Sequence, residues 1–316
     1  MKHKRFINIV LFSVLCSLFS VFYNCVSMAA SAEEYYSIGM AYFELGRFEE
    51  AERWLNRARA SDRTMVASQY NLGRIAFERG RFHEAARHFE DILGRDPNNV
   101  LALKAAAYTR INTGDISIAE RHYSRLLELV PESADDGYNH ALVLYAMGRY
   151  SDAEQVLEKY HISLLENNDM QLLYARSQRA QDKVEAIDSF ARWLLNNTDA
   201  RVRSEYAQVL EHHEFFARAL EEYRQALTET TSTELRAGIH FAIARVLLIA
   251  DSETSEGITE LQRAIDTGFT DIAAVEELLN DDRISSANID SIRNIINDKR
   301  RAASGEEREE GSETDS

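Results

Sequence analysis

Two cysteines, two prolines and thirteen glycines are all that these 316 residues contain. Both cysteines, Cys16 and Cys25, lie close to the start, so no disulfide framework is available to the body of the chain. Average usage would give roughly 22 glycines and 16 prolines in a chain this long. A sandwich, barrel or propeller needs many special turns, and the residues that make them are missing. Long helices with short connectors remain. Hydrophobic residues make up 45% of the chain, which excludes general disorder and leaves core for about two domains. Positive charge is also short. The 36 Lys+Arg stand against 52 Asp+Glu for a formal charge of −16, which excludes a general nucleic-acid binder. A net sum leaves local basic patches open; the acidic excess as a whole reads as solubility.

Residues 1–32 read as an address. Lys2, Lys4 and Arg5 precede an apolar stretch from Phe6 to about Tyr23, and small residues at Ser27-Met28-Ala29 and Ala30-Ser31-Ala32 follow. This is the three-part form of a secretory signal peptide. Cleavage after Ala29 or Ala32 leaves no thiol, and loss of residues 1–32 removes three cations and no acid, taking the charge from −16 to −19. Val21-Phe22-Tyr23-Asn24-Cys25 loosely resembles a bacterial lipobox, with Asn24 in place of Gly or Ala and Phe22 in place of Leu, which makes Cys25 a candidate lipidation site. Retention as an uncleaved membrane anchor is the third route. All three place the body outside the cytoplasm, in the periplasm or anchored facing it or the cell surface.

What the chain does have is a period. Gly46, Gly80, Gly114 and Gly148 recur every 34 residues, each followed five residues later by an alanine (Ala51, Ala85, Ala119, Ala153). Phe48, Phe82, Ile116 and Tyr150 form a third column, and Leu55, Phe89, Tyr123 and Leu157 a fourth. Pro97 and Pro131 close the second and third units. Small residues such as Gly39 and Gly73 let antiparallel helices approach, and the turn glycines supply a connection that Cβ would restrict. The prolines stop one helix and start the next unit. One unit cannot bury its own apolar face, so the array is stable only as a stack.

With Tyr70-Asn71-Leu72-Gly73 and Asp96-Pro97-Asn98-Asn99 in the second unit and Tyr35, Ile38, Gly39 and Tyr42 in the first, the chain resembles the tetratricopeptide repeat family. The third and fourth units carry Ala107 and Ala141 in place of the first-helix glycine. The resemblance implies an all-α, right-handed superhelical solenoid of antiparallel helix pairs, with four well-formed units over 33–160. Degenerate units and capping helices follow over 161–298, where Ala186, Phe190, Ala219, Tyr223 and Ala226 still mark second helices and Phe215-Phe216 replaces the earlier turn aromatics. A seventh pair is expected over Leu235–Ile249 and Ile258–Ile265, then a cap carrying Val275, Leu278, Ile289, Ile292 and Ile296. Residues 299–316 read as an acidic disordered tail.

The resemblance also implies a concave surface lined by the first helix of each unit. Its ligand-facing columns fall on Tyr36, Tyr70, Lys104 and Tyr138, then on Met40, Arg74, Tyr108 and Leu142, and then on Phe43, Phe77, Ile111 and Tyr145, with Asn71 and Asn139 at another inward position. Tyr36, Tyr70, Asn71, Arg74, Lys104, Tyr108, Tyr138 and Asn139 are the candidate partner-binding residues. Such a groove suits an extended peptide or a partner's helix. Some relatives grip C-terminal carboxylates with a Lys/Asn clamp, a pattern from which Tyr36 and Tyr138 depart.

Nothing in the sequence assembles a reaction centre. No glycine-rich phosphate loop is present. His83 and His88 are five residues apart, about 140° around a helix, where a zinc protease needs four. His212-His213 point in different directions by spacing, and Asp135-Asp136 and Asp281-Asp282 read as helix-start acids favoured by the dipole. No cofactor, metal or small-molecule substrate is implied. The expectation is a non-enzymatic scaffold that binds a protein or peptide of the cell envelope, with membrane association only through the N-terminus; the alternative is a surface lipoprotein serving as an adhesin or ligand-delivery component.

Overall fold

A computed structural model describes residues 31–250 and 255–304. Residues 1–30 of the expected leader, with Cys16 and Cys25, residues 251–254 of the connector and residues 305–316 of the acidic tail lie outside the described residues. Those described form seventeen α-helices and one 3-10 turn, with no strand among them. The chain divides into two compact units at Arg149 and Tyr150.

The first unit is built from α1 (Ala32–Glu44), α2 (Phe48–Ala58), α3 (Asp62–Glu78), α4 (Phe82–Leu93), α5 (Val100–Asn112), α6 (Ile116–Leu129) and α7 (Ala134–Ala146). Ser31 starts α1 through a capping box with Glu34. Cleavage after Ala29 would leave that cap in place, whereas cleavage after Ala32 would delete it. The first helix of each hairpin ends at a left-handed glycine, with φ of 70° at Gly46, 71° at Gly80 and 79° at Gly114. The next amide then bonds back over five residues: Arg47 N–H to the Tyr42 carbonyl at 2.9 Å, Arg81 to Ala76 at 2.8 Å and Asp115 to Arg110 at 2.9 Å. This closes the free carbonyls of a helix end.

Small-against-large packing joins each pair. Ala51, Ala85 and Ala119 are fully buried, as are the apolar residues four positions on. A Cβ on Gly39 would sit 2.8 Å from Leu55 Cγ, and one on Gly73 2.7 Å from Phe89 Cε1. Helix α3 begins a turn before the repeat start at Val66. Arg63 stands where Pro97 and Pro131 stand in later units, so no missing amide or ring clash holds the helix off.

The second unit comprises α8 (Tyr150–Glu158), α9 (His161–Glu166), α10 (Asn168–Arg179), α11 (Ala186–Leu194), α12 (Ala200–His212), α13 (Phe216–Glu229), α14 (Thr233–Ala250), α15 (Glu256–Thr267), α16 (Ile272–Glu277), a 3-10 turn (Leu278–Asn280) and α17 (Ser286–Ser304). Helix α9 takes the place of the end of a second helix without breaking the period: Asp182, with φ of 54°, follows Gly148 by 34 residues, and the Lys183 amide bonds back to the Gln178 carbonyl at 3.1 Å as Arg149 does to Leu144. Helix α9 buries no residue, and Asn167 then starts α10 by accepting the Asp169 and Met170 amides. The seventh pair, α14 with α15, exchanges the roles of its helices: the small residue is Gly257 on the second helix, whose Cβ would meet Leu248 Cγ at 2.7 Å.

The array ends in a cap where Phe241 stacks on Phe269 at 4.4 Å and Val275, Leu278, Ile284, Ile292 and Ile296 close the core. Helix α17 continues to Ser304, so residues 299–304 extend the cap instead of opening the tail. Arg300 pairs with Glu276, and Arg301 lies in the last turn, where a cation suits the helix dipole. Asp135-Asp136 does occupy the first turn of α7. Asp281-Asp282 does not start a helix: Asp281 follows the 3-10 turn and receives the Arg283 guanidinium at 2.7 Å and 2.9 Å.

Candidate functional site

The first helices α1, α3 and α5 carry most of the candidate groove, and side chains from successive hairpins meet there. The Asn71 amide donates to the Tyr36 hydroxyl at 3.1 Å and to the Ala67 carbonyl at 2.9 Å, while Arg74 donates to the Asn71 side-chain oxygen at 3.1 Å. The same guanidinium lies 4.6 Å above the Phe43 ring. Phe77 touches Tyr108 at 5.4 Å between ring centres, and Tyr108 remains 52% exposed. Asn71, 4% exposed, is the hub that holds Tyr36 and Arg74 in place, while Arg74 and Tyr108 present open cationic and aromatic surface. Fixed rings and a stacked guanidinium lose little freedom on binding, which suits recognition.

The remaining candidates do different work. Tyr70 packs on Phe89 at 5.6 Å and belongs to the hydrophobic core between α3 and α5. The Lys104 ammonium lies 2.8 Å from the carboxylate of Asp136, whose side chain is only 5% exposed. Lys104 therefore neutralises a buried acid as well as lining the face. Tyr138 and Asn139 sit half-buried on α7. In the third column, Phe43 packs on Phe48 at 5.9 Å and Phe77 on Phe82 at 5.1 Å, so these rings fill the inside of the turns.

Among the described residues, no group of three or more His, Cys, Asp or Glu side chains converges to hold a metal ion. His83 is exposed, and His88 lies 3.9 Å from Glu84 with its pKa lowered by burial. The rings of His212 and His213 do not diverge as their spacing suggested: they meet edge-on at 5.1 Å, because His213 already leaves the helix as its C-terminal cap.

A second concavity carries no motif in the sequence. In the second unit a cavity of about 630 Å³ opens between the end of α12, the C-terminal part of α14 and the α16 cap. Arg245 donates to Glu211 at 2.6 Å and 2.9 Å across it, and Tyr223 donates to the same carboxylate at 2.8 Å. These bonds raise the Arg245 pKa, and burial, followed by the Glu211 charge, pushes the Tyr223 hydroxyl up. Glu214 and Glu277 also line the wall. Glu214 replaces the turn glycine of earlier units and holds φ of 63°. Its place five residues before Ala219 was the available signal.

Family models described as tetratricopeptide repeat match residues 36–100 and 138–201 in one case and 76–139 in the other. Together they span 36–201, just over half of the chain. No curated protein gives a match. Among solved structures, a tetratricopeptide repeat protein from Parabacteroides merdae superposes with a TM-score of 0.53 at 21% identity, covering 79% of this chain and 97% of its own. YrrB, described as a TPR protein with an unusual peptide-binding site, gives a TM-score of 0.51 at 17% identity over 61% of this chain and 98% of its own. MamA gives 0.48 at 19% identity over 59% and 94%.

Proposed function

Because the chain belongs to the tetratricopeptide repeat family, whose stacked hairpins bind protein and peptide partners, we propose that it is a non-enzymatic scaffold gripping a peptide or helix on the first-helix face of its first unit. The observation that carries this is the linked set Tyr36–Asn71–Arg74–Phe43 beside exposed Tyr108. It offers an aromatic platform, a cation and amide groups already fixed before the partner arrives. A flat ring of the ligand or an apolar side chain fits Tyr108 and Phe77, while a carboxylate or backbone carbonyl fits Arg74.

The test uses Arg74→Ala with Tyr108→Ala, since neither side chain is buried. Tyr70 and Lys104 are avoided because Phe89 and Asp136 depend on them. Crosslinking and pull-down from the native envelope should recover at least about tenfold less partner with the double variant, at an unchanged thermal midpoint. Equal recovery would remove the groove from consideration.

The site of action we place outside the cytoplasm, on the basic start, apolar stretch and small residues of the first 32 positions. Within that location, a lipidated surface protein serving as an adhesin or delivering a ligand is the alternative supported by the Cys25 context. Metabolic labelling with a palmitate analogue separates the two: label that persists in Cys25→Ala counts against lipidation.

A further inference from the structure

We propose that the outward face of the second helices α2, α4 and α6 is a binding surface for anionic lipid headgroups. Arg53, Arg87 and Arg121 stand 34 residues apart, at one repeat position. That position lies two residues after the buried alanine and two before the buried large residue of its helix. At about 100° per residue this is the solvent pole, roughly 200° from the core stripe. Arg57 and Arg125 follow four residues after Arg53 and Arg121, on the same helix faces. All five are exposed.

The lack of a carboxylate partner among the described residues sets Arg53, Arg87 and Arg121 apart. Most other cations of the first unit are in ion pairs: Arg47, Arg63, Arg79, Arg81, Lys104, Arg110 and Arg149 each reach a carboxylate. Among the described residues Arg53, Arg87 and Arg121 reach none, and neither does Arg95 just beyond α4. Arg57 stacks over Trp54 at 4.8 Å and Tyr35 at 5.9 Å. The acids nearby are already engaged. Glu49 is held by Arg79 at 2.7 Å, Asp91 accepts from Gln69 at 2.9 Å, Glu128 pairs with Arg125, and Glu50, one turn before Arg53, is held by Arg47. An unpaired guanidinium column matches phosphate geometry, which it can bind through two parallel N–H bonds.

Two facts favour a membrane over an acidic protein. Charge is divided unevenly along the chain: residues 31–149 carry 15 Lys+Arg against 18 Asp+Glu, whereas residues 150–316 carry 18 against 34. An anionic surface therefore repels the second unit and attracts this one face of the first. The apolar stretch ending near Tyr23 also lies only eight residues before Ser31, a reach of at most about 29 Å. On the reading that this stretch is directed to a bilayer, the first unit is held at its surface. Trp54 and Tyr35 beside Arg57 add the aromatic–cation pairing found at headgroup level.

The experiment floats the full chain with vesicles of phosphatidylcholine alone or with about one third phosphatidylglycerol, at limiting lipid. Binding to the neutral vesicles reports the N-terminal stretch; the ratio of anionic to neutral binding reports the arginine face. For the natural chain the ratio should be at least about tenfold, as expected for several surface arginines, and fall toward one in 0.5 M salt. Arg53→Glu with Arg87→Glu and Arg121→Glu should abolish the gain without changing binding to neutral vesicles or the thermal midpoint, and the triple Lys variant should keep most of it. A ratio near one for the natural chain, or an equal ratio in the Glu variant, overturns the proposal. So does salt-sensitive self-association lost in the Glu variant without any vesicle gain, which would assign the face to the acidic residues of a second copy. The groove variant Arg74→Ala/Tyr108→Ala leaves the ratio unchanged, so failure of one site is separable from failure of the other.

Discussion

At the scale of single residues, glycine does two distinct jobs in this chain. At Gly80 a Cβ would meet nothing within 4 Å, so only the φ of 71° requires glycine. At Gly73 the backbone is helical and the ring of Phe89 occupies the space. Gly80→Ala should therefore cost about 1 kcal/mol through the left-handed backbone alone. Glu214 holds the same conformation with a side chain, and Glu214→Gly should stabilise by up to about 1 kcal/mol. Urea titration of both variants checks the pair; equal and same-signed shifts would break the argument. The glycine columns were legible in the sequence because a steric demand repeats with the fold. Glu214 was marked only by its place five residues before Ala219, since its residue type carries no sign of a left-handed turn that flanking helices impose.

At the scale of helices, hydrogen-bonded acids tie neighbours together. Burial opposes ionisation of Glu154 on α8, but Lys183 at 2.6 Å, Gln181 at 2.8 Å and Gln178 at 3.1 Å outweigh it and hold its pKa below the usual carboxylate value. A lowered folded pKa means a contribution complete above the unfolded value near ~4.3 and lost as pH falls through the folded one. Glu154→Gln should thus be less stable than the natural chain at pH 7, with the difference shrinking as pH falls below the ordinary carboxylate range. Urea midpoints at pH 7, 5, 4 and 3 measure this, and a constant difference would refute the linkage. Helix identity and pairing were readable from the 34-residue columns; α9 and the early start of α3 were not. Residues 161–166 carry no period to read, and α3 depends on the proline that Arg63 replaces.

At the scale of the whole molecule, a stack of hairpins transmits stability mainly to its neighbours. Ile292 of α17 is fully buried in the core that ends the array, to which α14, α15 and α16 also contribute. Ile292→Ala should cost about 2–4 kcal/mol. The loss should appear in hydrogen exchange as faster opening of residues 233–300, with residues 31–149 unchanged; uniform acceleration would indicate one cooperative body instead. The helical class, the repeat length and the places where helices stop are local properties of the chain, because propensity, chirality and the lack of an amide on proline act within a few residues. Which candidate side chains are occupied and which are open follows from the packing of the hairpins. Stacking brings together residues 30 or more apart, setting Asn71 under Tyr36 and Lys104 over buried Asp136. The arginines at 53, 87 and 121 were evenly spaced from the start, yet their openness is a property of the stack. It exists because the nearby carboxylates have already found partners within the array.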